Sequence, residues 1–148
     1  MPELDLVYLH LTMQIKYTIE NELDVSEFRE VLIASTLGER RPVDDMKRLS
    51  AMLAHANLIV TARDGGKLVG VARSVTDFVY CTYLSDLAVH VDYQKRGIGT
   101  ELIRATKLAS PDALLILLSA PKAVDYYPKT GMLKHEHCFI LRDVNDLK

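Results

Sequence analysis

The sequence predicts an α/β fold of the α+β kind: a mostly antiparallel, twisted sheet flanked by helices, with one parallel strand pair at its centre. Three observations carry this. Strand-like and helix-like segments follow one another as β-α-α-β-β-β-α-β-α-β from residue 13 to residue 148. Asp64-Gly65-Gly66 joins two apolar runs, which is the chemistry of a tight antiparallel hairpin. A helix-like segment links the long strand-like run 79–91 to the apolar run 113–120, so those two strands should lie parallel through a crossover.

Each element has its own signal. "IKYTIE" (15–20) alternates and is β-branched, as a half-buried strand should be. "DVSEFREVLIAST" (24–36) opens on an Asp cap and gathers Val25, Phe28, Val31, Leu32 and Ala34 near one helical face. Gly38 is expected to end it. After Pro42, "VDDMKRLSAMLAHAN" does the same with Met46, Leu49, Met52 and Leu53. "LIVTAR" and "KLVGVARSV" are the two strands of the hairpin. "VYCTYLSDLAVHV" is a long strand, followed by a glycine turn and a helix over 98–109 that Ser110-Pro111-Asp112 stops. "ALLILLSA" (113–120) is apolar without alternation, so a strand buried on both faces is expected. A short helix over about 122–129 precedes Gly131, and "LKHEHCFILRD" is expected to supply a last strand or strand pair. Residues 1–12 read as a dispensable N-terminal extension and 13–148 as a single domain.

The chain has 148 residues, 49% of them hydrophobic, and a formal net charge of −2. That length can bury a core, and the balance argues against disorder and against a nucleic-acid coat. No apolar run approaches the roughly 20 residues that span a membrane. "MPELDLVYLHLT" begins with acidic residues rather than a basic region, so no signal peptide is expected. Cys81 and Cys138 are too few for a disulfide framework and lack metal-type spacing. A cytoplasmic protein without a membrane or nucleic-acid partner is the expectation.

The turn Gln94-Lys95-Arg96-Gly97-Ile98-Gly99 lies where a helix should begin, and a glycine weakens a helix by roughly 1 kcal/mol relative to alanine. A glycine-rich loop between strand and helix directs several backbone N–H groups into one space, and the helix N-terminus adds partial positive charge. Gly97 and Gly99 admit a bulky ligand, and Lys95 and Arg96 add charge, so a phosphate or pyrophosphate suits it. The residues also allow a plain tight turn with no ligand. A Walker A loop is absent, and the dinucleotide fingerprint would want glycine where Leu102 stands.

The strand-turn-helix run "LAVHVDYQKRGIGTELI" resembles motif A of the GNAT acetyltransferases, [QR]-x-x-G-x-[GA] after an apolar triplet. "DYYPKTGM" (125–132) resembles the family's later aromatic-Tyr-x-K-x-G-F segment, with Met132 in place of the usual aromatic residue. The resemblance implies a GNAT-type sheet whose central parallel pair is splayed, with acetyl-CoA as cosubstrate in the gap and no metal. Leu87, Ala88 and Val89 would pair through their backbones with the pantetheine arm. Gln94, Lys95, Arg96, Gly97, Ile98 and Gly99 would give donors to the pyrophosphate, and Thr100 one more from the first helical turn. Leu87 to Val89 are equally core residues in that reading.

Acetyl transfer needs a neutral amine, a polarised carbonyl and a proton for the leaving thiolate. The resemblance places the proton donor at Tyr127, whose phenol titrates near a thiol's range; the alternative is a packing role, which suits Tyr126 better. The family's base positions fall on Tyr83 and Ser85, neither a good base at neutral pH but both able to hold a water chain. Asp86 should face the other way by alternation unless a bulge re-aims it, and Asp77 is a second acidic candidate. No base can be named. His90 should lie at the strand's exposed end. His135 and His137 share a face without an evident third ligand, and Cys81 and Cys138 read as core residues.

In the loop "TLGERRPVDD", Arg40 and Arg41 could anchor an acidic group and Asp44 and Asp45 an amine, or all four are solvated with the aspartates favouring the next helix. The expectation is an N-acetyltransferase for a small or amino-acid-like primary amine, with a peptide or protein amine second and a homodimer left open. A non-catalytic acyl-CoA sensor or interaction domain is the alternative, and a nucleotide-phosphate binder a third reading.

Overall fold

The computed structural model describes residues 14–148; the expected extension 1–12 lies outside them. The described residues form two compact units, the first running to Leu118 and the second Ser119–Lys148.

The first unit holds one five-stranded sheet: β1 (Ile15–Ile19), β2 (Leu58–Asp64), β3 (Lys67–Thr76), β4 (Cys81–Val89) and β5 (Leu114–Ile116), in that spatial order. The first four are antiparallel neighbours and β5 runs parallel to β4. Two helices, α1 (Val25–Ala34) and α2 (Met46–His55), bury Phe28, Val31, Leu32, Leu49 and Leu53 against Ile59, Val71 and Ala88. A third, α3 (Ile98–Ala109), sets Ile98 and Leu102 against Leu58, Val60, Ala62, Val69, Ala72 and Leu84. Placing these side chains on both faces of the sheet is what the alternation in β2 and β3 requires. Burying one such side chain is worth ~1.5–3 kcal/mol.

The caps read from sequence are present. Asp24 accepts from the N–H groups of Ser26 and Glu27, at 2.9 and 3.0 Å, and Asp45 from Arg48 at 2.9 Å. The hairpin turns on Gly65 at φ 59°. The first helix, however, ends before Gly38. Ser35 turns its hydroxyl back to the C=O of Leu32 at 2.9 Å, and Thr36 takes the left-handed turn at φ 72°. Gly70 is the glycine that brings α3 close: a Cβ there would stand 3.0 Å from Leu102 Cδ1 and 3.3 Å from Ile98 Cγ2.

Two expectations for the later chain need correction. The apolar run 113–120 is not buried on both faces: β5 has three residues, with Leu114 67% and Ile116 50% exposed while Leu115 leans on the core. Residues 134–142 form no strand, because alternation makes a strand only where a neighbour's N–H and C=O groups complete a ladder, and none does so here. The second unit by itself contains the short helix α4 (Tyr126–Lys129) and a chain that leaves Leu133 and Phe139 almost fully exposed.

Arg63 in β2 ties β1's end and α1 together, donating to Glu20 at 2.8 and 3.0 Å and to Glu27 at 2.8 and 2.9 Å. These bonds, Arg63 first, hold the Glu20 carboxyl well below the ordinary glutamate range, at about 2. A lowered acid pKa stabilises the fold above the unfolded value and loses that contribution as pH falls through the folded one. Thermal melts should therefore show stability declining between about pH 5 and pH 2, and Arg63→Gln should flatten that decline. At neutral pH the variant should lose about 1 kcal/mol, since the partly exposed pairs are screened.

Candidate active site

Strand β4 and the turn after it carry most of the expected residues. The ladder between β4 and β5 is short: Cys81 pairs with Leu114, Thr82 with Leu115 and Tyr83 with Ile116, and there it stops. β4 continues to Val89, so from Leu84 onward its outer edge has no strand beside it among the described residues. The N–H of His90 bonds to the C=O of Val69 at 2.8 Å on the β3 side. By alternation Val89 and Leu87 direct their backbone groups to the open edge. Leu87, Ala88 and Val89 are also core residues, packed on the two faces of the sheet.

A bulge interrupts β4 halfway. Arg73 of β3 pairs with Asp86 but Ser74 pairs with Leu84, so Ser85 is the extra residue. One extra residue exchanges the faces. Leu84 packs beneath α3, whereas Asp86 and Ala88 turn to the side of α1 and α2. Asp86 is thereby re-aimed to the side of Tyr83, as only a bulge allows. It is not free to act as a base, because Arg41 and Arg73 both donate to its carboxylate, which is fully buried. Arg41 is thus bound within the protein and does not stand ready for an acidic substrate group.

Asp77 is used up in another way. Its Oδ1 accepts from the N–H groups of Val79, Tyr80 and Cys81 at 3.0, 2.8 and 3.0 Å, closing the β3–β4 turn. These backbone bonds, that from Tyr80 foremost, hold its carboxyl down at about 2, too weak a base for an ammonium. Tyr83, more than a third exposed, and half-buried Ser85 remain on this side of β4. Ser85 Oγ accepts from Arg73 at 3.0 Å.

The glycine turn begins α3 with no side-chain cap, unlike α1 and α2. Gly97, at φ 80°, stands at the N-cap, and a Cβ built there would meet nothing within 4 Å. A helix start leaves its first N–H groups without partners in the helix, and Ile98 and Gly99 stand at this one. Lys95 also takes a left-handed conformation, φ 62°. Gln94 uses its side chain, donating from Nε2 to the C=O of Val89 at 2.9 Å.

The turn is anchored by a residue the sequence reading passed over. Tyr93 donates its hydroxyl to Asp64 Oδ2 at 2.7 Å, and Lys67 and Arg96 each lie 5.5 Å from its ring centre. The bond to Asp64 favours the neutral phenol and raises its pKa. His90 is not at an exposed end: half-buried, it packs edge-on against Tyr93 and accepts from the N–H of Asp92 at 3.1 Å. No local spacing signals this pair, because Asp64 and Tyr93 lie 29 residues apart on different elements.

In the second unit Tyr127 is half-buried, packed edge-on with exposed Tyr126 at 5.2 Å, and burial raises its phenol pKa. Its C=O accepts from the N–H of Thr130 at 3.0 Å, which closes α4. His135 and His137 lie on no strand, and the N–H of His137 donates to His135 Nδ1 at 3.0 Å. Among the described residues no three His, Cys, Asp or Glu side chains gather as metal ligands. Cys81 and Cys138, expected in the core, are both exposed; Cys81 is the first residue of β4 and Cys138 lies in a segment without a ladder. No helix of the described residues is long and apolar enough to cross a membrane.

Comparison with known proteins bears on the fold and the family. The family model of the acetyltransferase (GNAT) family matches residues 22–132. A protein of Porphyra purpurea named uncharacterized N-acetyltransferase ycf52 is 27% identical over 138 residues, covering 80% of this chain and 79% of its own. Among solved structures, the GNAT family protein SP0256 from Streptococcus pneumoniae TIGR4 superposes with a TM-score of 0.71 at 23% identity, over 88% of this chain and 100% of its own. Aminoglycoside N-acetyltransferase AAC(6')-Iy, solved in complex with CoA, gives 0.69 at 16% identity, over 88% and 95%. With a family match that runs from α1 through the glycine turn to α4, the chain belongs to the GNAT family of acetyltransferases and is an acyltransferase.

Proposed function

We propose that the protein transfers the acetyl group of acetyl-CoA directly to a primary amine, within a ternary complex. A small or amino-acid-like acceptor comes first and a peptide or protein amine second. The observation that carries this is the open edge of β4 leading into an uncapped, glycine-started helix. The edge offers the N–H and C=O of Leu87 and the N–H of Val89 to a pantetheine arm, the Val89 C=O being held by Gln94, and the turn from Gln94 to Thr100 offers donors to the pyrophosphate. The side of Gly97 where a Cβ would stand is open, which leaves room for a phosphate.

In this reading Tyr127, a phenol protonated at neutral pH with or without the upward shift that burial gives it, gives the proton to the departing thiolate. Tyr83 and Ser85 hold the water that relays the amine's proton outward. With Asp77 and Asp86 both engaged, an acceptor with a low amine pKa is favoured, because neither carboxylate is free to neutralise an ammonium. The same engagement favours the second reading, an acyl-CoA-binding module without turnover.

Calorimetry with acetyl-CoA and with acetyl-pantetheine, which lacks the pyrophosphate, tests the binding. Acetyl-CoA should bind on the order of 100-fold more tightly, a difference of about 2.7 kcal/mol. Equal affinities would end the assignment of the turn. Release of free thiol across a panel of simple amines, amino-acid amides and aminoglycosides then separates an enzyme from a sensor, which would bind without releasing any.

A further inference from the structure

The fate of Asp86 bears on more than the missing base. Arg41 comes from the chain between α1 and α2, whereas Arg73 comes from β3, and the two meet at one buried carboxylate. Arg41 donates Nε to Asp86, Nη2 to the C=O of Ser85 at 2.9 Å and Nη1 to the C=O of Arg40 at 2.9 Å. Arg73 donates to Asp86 at 2.5 Å, to Ser85 Oγ at 3.0 Å and to the C=O of Met52 in α2 at 3.2 Å. Ser85 is the residue that β4 has in excess over β3. A bulge leaves its extra residue outside the ladder; here both the carbonyl and the hydroxyl of that residue are held by guanidinium groups, and the carbonyl is held by one from outside the sheet.

The direction of β4 gives this position its meaning. The glycine turn follows the C-terminal end of the strand, and the open edge leads back from Val89 through Leu87 to the bulge. An arm anchored by its phosphates at the turn and laid along that edge reaches the bulge with its thioester end. We infer that Arg41 is a positioning residue, which ties the loop between α1 and α2 to the bulge and so fixes the backbone of Ser85, the residue outside the ladder, for the acetyl group. This rests on the acetyl-CoA reading above.

The charges single out Arg41 as the member to change. Without it Asp86 keeps Arg73, so the buried carboxylate stays paired; without Asp86 two guanidinium groups would face each other. Lysine preserves the charge but cannot reach Asp86, Ser85 and Arg40 at once, as a planar fork does.

Calorimetry with CoA and with acetyl-CoA on wild type, Arg41→Ala and Arg41→Lys tests the inference. Wild type should prefer acetyl-CoA by about fivefold, the worth of one backbone hydrogen bond to the acetyl carbonyl. Arg41→Ala should bind CoA within about twofold of wild type and lose the preference, since only the acetyl end meets the bulge. A low, non-denaturing concentration of guanidinium chloride should restore the preference, and tetramethylammonium chloride should not. Arg41→Lys, which decides by the same readout if the alanine variant does not fold, should also lose it. A wild-type preference in either folded variant would reduce Arg41 to a fold contact, and a parallel loss of both affinities would mean general loosening; each overturns the inference. So does a wild type that binds CoA and acetyl-CoA equally. A wild type that binds neither instead overturns the acetyl-CoA reading itself.

Discussion

Gly97→Glu should lower acetyl-CoA affinity by at least about 100-fold while leaving a folded protein. Gly97 stands at the N-cap of α3 at φ 80°, and the direction in which a side chain would leave it is open. That opening is where the pyrophosphate reading needs room. A glutamate there fills the space and sets a negative charge against the phosphates at the positive end of the helix, where an anion is worth up to ~2 kcal/mol. The fold pays less. A non-glycine residue in the left-handed region costs roughly 1–2 kcal/mol, and the side chain meets no neighbour. Gly97→Asn separates the two effects, since asparagine tolerates this backbone and carries no charge. Its affinity should fall only about tenfold, from lost space alone, with a melting temperature near wild type. Calorimetry and thermal melts on the pair check this. Glutamate and asparagine variants of equal affinity would remove the phosphate from the turn.

Tyr127→Phe should reduce kcat on the order of 10²- to 10⁴-fold, the usual worth of a positioned acid, with acetyl-CoA affinity and melting temperature barely changed. A phenol is protonated at neutral pH at its ordinary pKa, and burial, which raises that pKa, makes it a weaker acid without removing the proton. Phenylalanine keeps the ring that packs against Tyr126 and removes the proton alone. A fall confined to kcat would mark a transition-state role, and a rise in KM alone would mean that Tyr127 lines a pocket. A variant with wild-type kcat, measured where chemistry limits turnover, would leave water or another hydroxyl as the donor.

The parts of the site legible in the sequence are those made by near neighbours. Gln94 to Gly99 are six consecutive residues, and their glycines, charges and strand-to-helix context announce the turn before any fold is known. The caps at Asp24 and Asp45 are similar, because a side chain and the N–H groups two or three residues on depend only on local backbone. The base was not legible. Asp77 and Asp86 look equivalent as letters, yet one closes a turn with three N–H groups and the other is held by two arginines. No spacing rule joins Arg41 to Asp86 across the whole of β2 and β3.

The amino-acid sequence by itself determined the order of the elements, the amphipathic faces of α1 to α3, the hairpin at Gly65 and the family to which the glycine turn belongs. Each follows from rules that act over a few residues, such as periodicity, capping and turn chemistry. Tertiary structure decided the rest. Where Ser85 became the extra residue of β4 depended on how β3 paired with it, and that single count sent Asp86 and Ala88 to the opposite face. Whether "ALLILLSA" made a long strand or a short one, and whether residues 134–142 made any, depended on a neighbour to complete the ladder. A strand's partner and register are settled by residues far away in the chain, since a backbone N–H bonds to whatever carbonyl the fold brings beside it.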